Sequence, residues 1–154
     1  RKKMEKTTTI NKNFKGLTLE NNHYVYNDDL NIEGDAAIYE NIVIKGNLVV
    51  NGNLTCHKNL KVFGKINVSG DLTVAADVTA ENILVGGDLV AAGDVASFDT
   101  VIIRGNATIV GTIRISSFAA VRGNLTAENV VGGLFRIGGN VNVSGKIYAP
   151  LATF

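Results

Sequence analysis

The sequence of 154 residues is poor in chemically versatile side chains, with one cysteine, two histidines, one proline and no tryptophan. A single cysteine, Cys56, excludes an intrachain disulfide and a cysteine-based metal cluster. No run of about 18 apolar residues occurs, so the sequence predicts no membrane-spanning helix. Seventeen glycines argue against helices in general, because a glycine inside a helix costs about 1 kcal/mol relative to alanine.

Charged residues are also scarce, at 19% against 45% hydrophobic residues, and the net charge is +1. This balance argues against a general polyanion-binding role, so we expect no nucleic-acid partner. The charge is unevenly distributed, since residues 1–15 carry a net +5 and the rest of the chain about −4. We expect residues 1–15 to form a flexible basic tail, either simply solvated or in peripheral contact with a membrane or a protein.

A repeated motif, Gly-(Asn/Asp)-apolar-x-apolar, dominates the rest of the chain. Its seven copies start at Gly34, Gly52, Gly70, Gly87, Gly105, Gly123 and Gly139. The successive spacings are 18, 18, 17, 18, 18 and 16 residues, and similar short units recur about every six residues within each period. A constant period of this length is the sequence signature of a solenoid.

Each unit has a simple physical interpretation. The apolar-x-apolar triplet is a short strand whose two apolar side chains face the same way. The Gly-(Asn/Asp) pair is expected to turn the corner, because glycine reaches positive φ freely and Asn or Asp tolerates it. Three six-residue sides then close one triangular coil. The sequence predicts an all-β, single-domain parallel β-helix of about seven triangular coils of 17–18 residues each.

The repeat also predicts the core and the boundaries. Residues 34–154 should form the β-helix, and residues 16–33 should form irregular strands or an N-terminal cap. Cys56 falls in an apolar slot and is expected to be a small core residue, not a nucleophile. The predicted interior comprises Ile44, Leu48, Val50, Leu54, Cys56, Leu60, Val62, Ile66, Val68, Leu72, Val74, Val78, Ile83, Leu89, Val95, Val101, Ile103, Ile109, Ile113, Ile115, Val121, Leu125, Val130, Ile137, Val141, Val143 and Ile147.

With the repeat in view, residues 34–150 resemble the bactofilins, a family of polymer-forming bacterial cytoskeletal proteins. The resemblance lies in phrases such as Gly64-Lys65-Ile66-Asn67-Val68-Ser69-Gly70-Asp71-Leu72 and the closing Gly145-Lys146-Ile147-Tyr148-Ala149-Pro150. It implies a right-handed β-helix with flexible tails that associates end to end without nucleotide. It also implies a cytoplasmic location, with membrane attachment of some members through the N-terminal tail.

Three kinds of chemistry occur in proteins with comparable repeats. A hexapeptide acyltransferase shares the 18-residue coil, but its preferred residue phase fits poorly, and the only histidines, His23 and His57, are expected to be surface residues. The Asn/Asp corner column is better explained as a structural ladder than as calcium ligands. The acids are dispersed around the corners, so paired acid–base catalysis is unsupported. We therefore expect a non-enzymatic protein with no cofactor, no metal and no catalytic residue.

Self-association is the leading functional hypothesis, because a β-helix ends in unpaired strand edges over an apolar core. The expected product is a homo-oligomer or a polymer, as filaments or a scaffold. The alternative is a binding or adhesion module of a phage fibre or surface protein, and the acyltransferase ranks last. The candidate self-association residues are Tyr148, Leu151 and Phe154 at one end and Leu19, Tyr24 and Tyr26 at the other.

Overall fold

The computed structural model describes residues 7–153, and their regular secondary structure consists of β-strands. No helix in this range is long and apolar enough to cross a membrane. The strands are, in chain order, β1 (Thr8–Ile10), β2 (Leu17–Glu20), β3 (His23–Tyr26), β4 (Leu30–Glu33), β5 (Ala36–Ile38), β6 (Ile42–Ile44), β7 (Leu48–Asn51), β8 (Leu54–Cys56), β9 (Leu60–Val62), β10 (Lys65–Val68), β11 (Leu72–Val74), β12 (Val78–Ala80), β13 (Asn82–Val85), β14 (Leu89–Ala91), β15 (Val95–Ser97), β16 (Thr100–Ile103), β17 (Ala107–Ile109), β18 (Thr112–Val121), β19 (Leu125–Ala127), β20 (Asn129–Ile137), β21 (Val141–Val143), β22 (Ile147–Tyr148) and β23 (Leu151–Thr153).

The strands stack into three parallel columns, the faces of a triangular prism. Face 1 consists of β1, β5, β8, β11, β14, β17, β19 and β21. Face 2 runs from β3 through β6, β9, β12 and β15, and face 3 runs from β4 through β7, β10, β13 and β16. The long strands β18 and β20 belong to both faces 2 and 3, because each continues round the corner between them. In the last coil, β22 lies on face 2 and β23 on face 3.

The spacing of the repeat is the spacing of the stacked coils. On face 1 the aligned partners are Ala36, Leu54, Leu72, Leu89, Ala107, Leu125 and Val141. Each of these follows one motif glycine by two positions, so the sequence intervals carry over unchanged to the coils. The predicted all-β fold, a parallel β-helix of about seven coils, is therefore confirmed. Alternating apolar residues face inward on all three sides and fill one continuous core.

The predicted interior is buried except in the last coil. Cys56 is 1% exposed, and Leu48, Leu54 and Leu72 are fully buried. The exceptions are Val141 and Val143, which are half-buried, and Ile147, which is exposed.

The predicted N-terminal boundaries need correction. Thr8 pairs in parallel with Ala36, so the solenoid begins inside the segment interpreted as a tail. Strands β3 and β4 pair with β6 and β7, so most of the segment predicted to be irregular is already in coil register. The repeat missed this coil because no Gly-(Asn/Asp) pair precedes Gly34 and because 12 residues connect β1 to β3, where three connect β5 to β6. The part of the predicted tail in residues 1–6 lies outside the described residues.

The role expected for the corner glycines was also wrong. Of the seven glycines that open the motif, only Gly34 has a positive φ, of 87°. The others are needed because there is no room for a side chain. A Cβ at Gly70 would overlap the Oδ1 of Asn53 and approach the backbone of Gly52 in the preceding coil, and the same holds at Gly105 against Asp88 and Gly87.

An Asn or Asp at the corners, which in most cases directly follows a glycine, links successive coils. Its Oδ1 accepts a hydrogen bond from the backbone N–H of the equivalent residue in the next coil, at 2.7–3.0 Å. One ladder runs from Asp35 through Asn53, Asp71, Asp88, Asn106 and Asn124 to Asn140. Each such bond contributes about 0.5–1.5 kcal/mol. The structural ladder predicted from the sequence is confirmed.

Replacing a motif glycine with alanine tests the close approach of the coils. We expect Gly70→Ala to lower the free energy of unfolding by about 1–3 kcal/mol, because the added methyl group must displace Asn53 and the adjoining backbone. The matched control is Ser69→Ala at the exposed neighbouring position, expected to stay within about 0.5 kcal/mol of the unmodified protein. Thermal unfolding followed by circular dichroism would measure both, and equal melting temperatures would contradict the steric explanation.

Candidate assembly surfaces

The C-terminal end of the prism exposes side chains that the repeat places toward the core. Ile147 pairs with Val130 and Leu151 pairs with Phe135, both partners being fully buried. Yet Ile147 is 44% exposed and Leu151 is 39% exposed. Both side chains point toward the core. They are exposed because no following coil of the described residues covers them. Half-buried Val141 on face 1 completes an apolar surface at this end.

The strands of the last coil also carry unused pairing edges. Within the described residues, β21 is the last strand of face 1, and β22 and β23 pair only with β20. A parallel strand at the edge of a sheet leaves backbone N–H and C=O groups without a ladder partner. The end therefore combines an apolar centre with three strand edges at its rim.

The N-terminal end is covered by the insertion between β1 and β3. Ile10 is fully buried, and the inserted Phe14 and Leu17 pack against the core together with Tyr26. The rings of Phe14 and Tyr26 lie 6.3 Å apart between centroids. The first coil is thus shielded from solvent by residues of the chain itself.

An antiparallel hairpin protects one strand edge at the same end. Strand β2 pairs with β3, with Leu17 opposite Tyr26 and Glu20 opposite His23. The two residues of the turn, Asn21 and Asn22, have φ of 48° and 71°. Two consecutive positive φ values are typical of the type I′ hairpin turn, which asparagine adopts readily.

The sequence-predicted association residues fall at the two ends but differ in their settings. Tyr148 is 61% exposed and points outward on face 2, whereas Leu151 lies at the open core. Leu19 is 62% exposed on the hairpin. The tyrosines of β3 are half-buried at inward register positions, because Tyr24 aligns with Ile42 and Tyr26 with Ile44. Phe154 lies outside the described residues.

Sequence reasoning missed the strongest members of the C-terminal surface. Val141, Val143 and Ile147 were assigned to the core because they fit the repeat. The signal that could have identified them is their place in or after the last copy of the motif, which starts at Gly139.

Within the described residues, the two histidines and the cysteine lie in different surroundings. His57 is exposed and its ring stacks on Tyr39, with centroids 4.4 Å apart and planes 7° apart, while His23 is half-buried in the hairpin. Across residues 7–153, no group of three or more His, Cys, Asp or Glu side chains is placed to hold a metal ion. Burial raises the pKa of the Cys56 thiol, because the thiolate would lose its hydration.

The reactivity of Cys56 provides a direct test of the buried core. We expect the folded protein not to react with a thiol-specific chromogenic disulfide, because the side chain is inaccessible and the thiolate is disfavoured. The protein unfolded in guanidinium should release one equivalent of chromophore. Rapid reaction of the native protein at neutral pH would contradict the placement of Cys56 in the core.

A comparison with known protein families identifies the family of the chain. The family model described as "Bactofilin: Polymer-forming cytoskeletal" matches residues 27–124, nearly two thirds of the chain. The matched region begins at the end of β3 and extends to the corner before β19. Neither the curated proteins nor the solved structures include a match.

Proposed function

The chain belongs to the bactofilin family of polymer-forming cytoskeletal proteins, and from that premise we propose that it self-associates through the ends of its β-helix into filaments or a scaffold. The observation that carries the proposal is the exposure of Ile147 and Leu151 at inward register positions of the last coil. The proposed role is structural, without a catalytic step or a cofactor.

Hydrophobic burial supplies the driving force for this contact. Full burial of an aliphatic side chain contributes about 1.5–3 kcal/mol. Covering the end would bury the exposed parts of Ile147 and Leu151 together with half-buried Val141. The strand edges make the contact specific in orientation. Their unpaired backbone N–H and C=O groups favour a partner that presents strands at the same three positions. A second copy of the chain has this triangular outline.

The two ends have unequal parts in the proposal. Both ends carry edge strands, since β1, β2 and β4 are terminal strands at the N-terminal end. The C-terminal end in addition exposes core-register residues, whereas the N-terminal end is closed by Phe14 and Leu17 and exposes Leu19. We therefore assign the principal contact to the C-terminal end and a secondary contact to the hairpin. Tyr148, exposed beside the open end, belongs to the rim of the principal contact.

The cellular setting follows from the same proposal. We assign the assembly to the cytoplasm, in keeping with a cytoskeletal family. The basic N-terminal segment supplies a peripheral contact with anionic lipid or a protein, and Lys12 and Lys15 are exposed within its described part.

A charge placed at the open end tests the proposal. We expect Ile147→Asp to abolish filaments, because a carboxylate at the apolar end would be desolvated in the contact. The matched control is Val110→Asp, which places the same charge at a 66% exposed apolar position on the side of the prism. Negative-stain electron microscopy and light scattering across concentration would measure the assembly of all three proteins.

The result expected is assembly of the unmodified protein and of Val110→Asp, and particles no larger than a dimer for Ile147→Asp. Filaments of unchanged length from Ile147→Asp would contradict the proposed contact at the C-terminal end. Compact monodisperse particles from the unmodified protein at every concentration would overturn self-association itself and favour the binding-module alternative.

A further inference from the structure

Opposite charges are segregated along the prism axis. From Ile66 to Ile103 the chain has six acidic residues and no lysine or arginine. From Arg104 onward it has five basic residues and one acid. Because the coils stack in chain order, this division separates an acidic section of the prism from a basic section next to it along the axis.

The segregation is sharpest at the corner between face 3 and face 1, here called the 3/1 corner. Four successive coils place Asp71, Asp88, Arg104 and Arg122 along this corner, all exposed. The backbone hydrogen bonds confirm the alignment of the arginines, since Arg104 donates its N–H to Val85 and Arg122 to Ile103 of the coil below. The two aspartates are consecutive members of the corner ladder.

None of these four side chains forms an ion pair within the described part of the chain, in contrast to Lys58 and Glu40. Like charges on adjacent strands lie about 4.8 Å apart and repel each other. The arrangement therefore leaves two arginines stacked together and two aspartates stacked together, and both pairs would be stabilised by an opposite charge from outside the molecule.

An apolar strip lies beside the charged corner on the outer side of face 3. Leu84, Ile102 and Ala120 are aligned on neighbouring strands, and Ile102 is 40% exposed. A depression of about 630 Å³ lies between this strip and the two arginines, lined by Ile102, Ala120, Arg104 and Arg122 among others. Apolar centres flanked by polar groups are the usual anatomy of a protein interface.

We propose that a second copy of the chain docks side by side and antiparallel along the 3/1 corner. The two-fold axis passes between the coil of Asp88 and the coil of Arg104. At the contact, Arg104 is then at the same height along the prism axis as the partner copy's Asp88, and Arg122 is at the same height as the partner copy's Asp71. The same axis brings Leu84 level with Ile102 across the contact. A parallel arrangement would instead oppose like charges, so charge pattern selects the antiparallel one.

The pattern also selects a copy of this chain over a polyanion. A membrane surface or a nucleic acid would be attracted by Arg104 and Arg122 but repelled by Asp71 and Asp88 on the same corner. A surface that is acidic on one half and basic on the other is complementary to itself after a two-fold rotation. This contact goes beyond the end contact proposed above and uses none of its residues.

The test is carried out in the Ile147→Asp background, so that dimers formed through the side are measured without filaments. In this background we expect a reversible monomer–dimer equilibrium by sedimentation velocity. Arg104→Glu with Arg122→Glu should raise the dimer dissociation constant by at least about tenfold, because acidic residues then oppose acidic residues. The matched control, Lys61→Glu with Arg114→Glu, reverses two exposed charges on the outside of face 2 and should leave the dimer unchanged.

A second variant removes the acidic half without disturbing the fold. Asp71→Asn with Asp88→Asn keeps an Oδ1 for the ladder bonds to Asp88 and Asn106, as asparagine does in other coils. This variant alone should form a weaker dimer. Mixed with Arg104→Glu/Arg122→Glu, it should restore dimers as heterodimers, since acidic and basic corners then meet again.

Three results would overturn the proposal. They are a strictly monomeric Ile147→Asp protein at low salt up to high concentration, a dimer unaffected by Arg104→Glu/Arg122→Glu, and a failure of the mixed variants to form heterodimers. Failure of the end contact would be seen separately, as filaments that persist in Ile147→Asp.

Discussion

The close stacking of the corners is the constraint on which the rest of the structure depends. Parallel strands lie about 4.8 Å apart, and at the corners this distance must accommodate both the backbone and an Asn or Asp oxygen. The oxygen of Asp88 accepts a hydrogen bond from Asn106 while it lies against Gly105, which has no Cβ to exclude it. Glycine provides the space for the oxygen of the preceding coil, and the next residue provides the side-chain oxygen that the following coil binds, as Asn106 does for Asn124. This explains why the two occur as a pair.

The period of the sequence was sufficient to predict the faces, the coils and most of the core. Pairs such as Leu54 with Leu72 follow directly from the 18-residue interval, because each coil repeats the same physical problem. The period could not predict the role of the corner glycines, since glycine satisfies an unusual φ and a close contact equally well. It also could not reveal β1, because the insertion that contains Phe14 and β2 separates it from the repeat.

The ends and outer surfaces were less predictable for a related reason. A periodic pattern assigns both Ile147 and Val130 to the core. The two residues differ in exposure because Ile147 belongs to the last coil of the described residues, where no further coil covers it. The charged corner can be recognised only after the coils are aligned. Asp88 and Arg104 are sixteen residues apart in sequence, and stacking places them in adjacent coils at the same corner. The end surface and the corner face different directions, so one assembly can use both.

The corner ladder has a direction along the chain. Every oxygen acceptor belongs to the earlier coil and every N–H donor to the later one, from Asp35 with Asn53 to Asn124 with Asn140. A coil that is already formed therefore offers fixed acceptors to the segment synthesised next. Chains are made from the N-terminus, and solenoids propagate structure from one repeat to its neighbour. The ladder thus favours the addition of each coil to the one that precedes it in the chain.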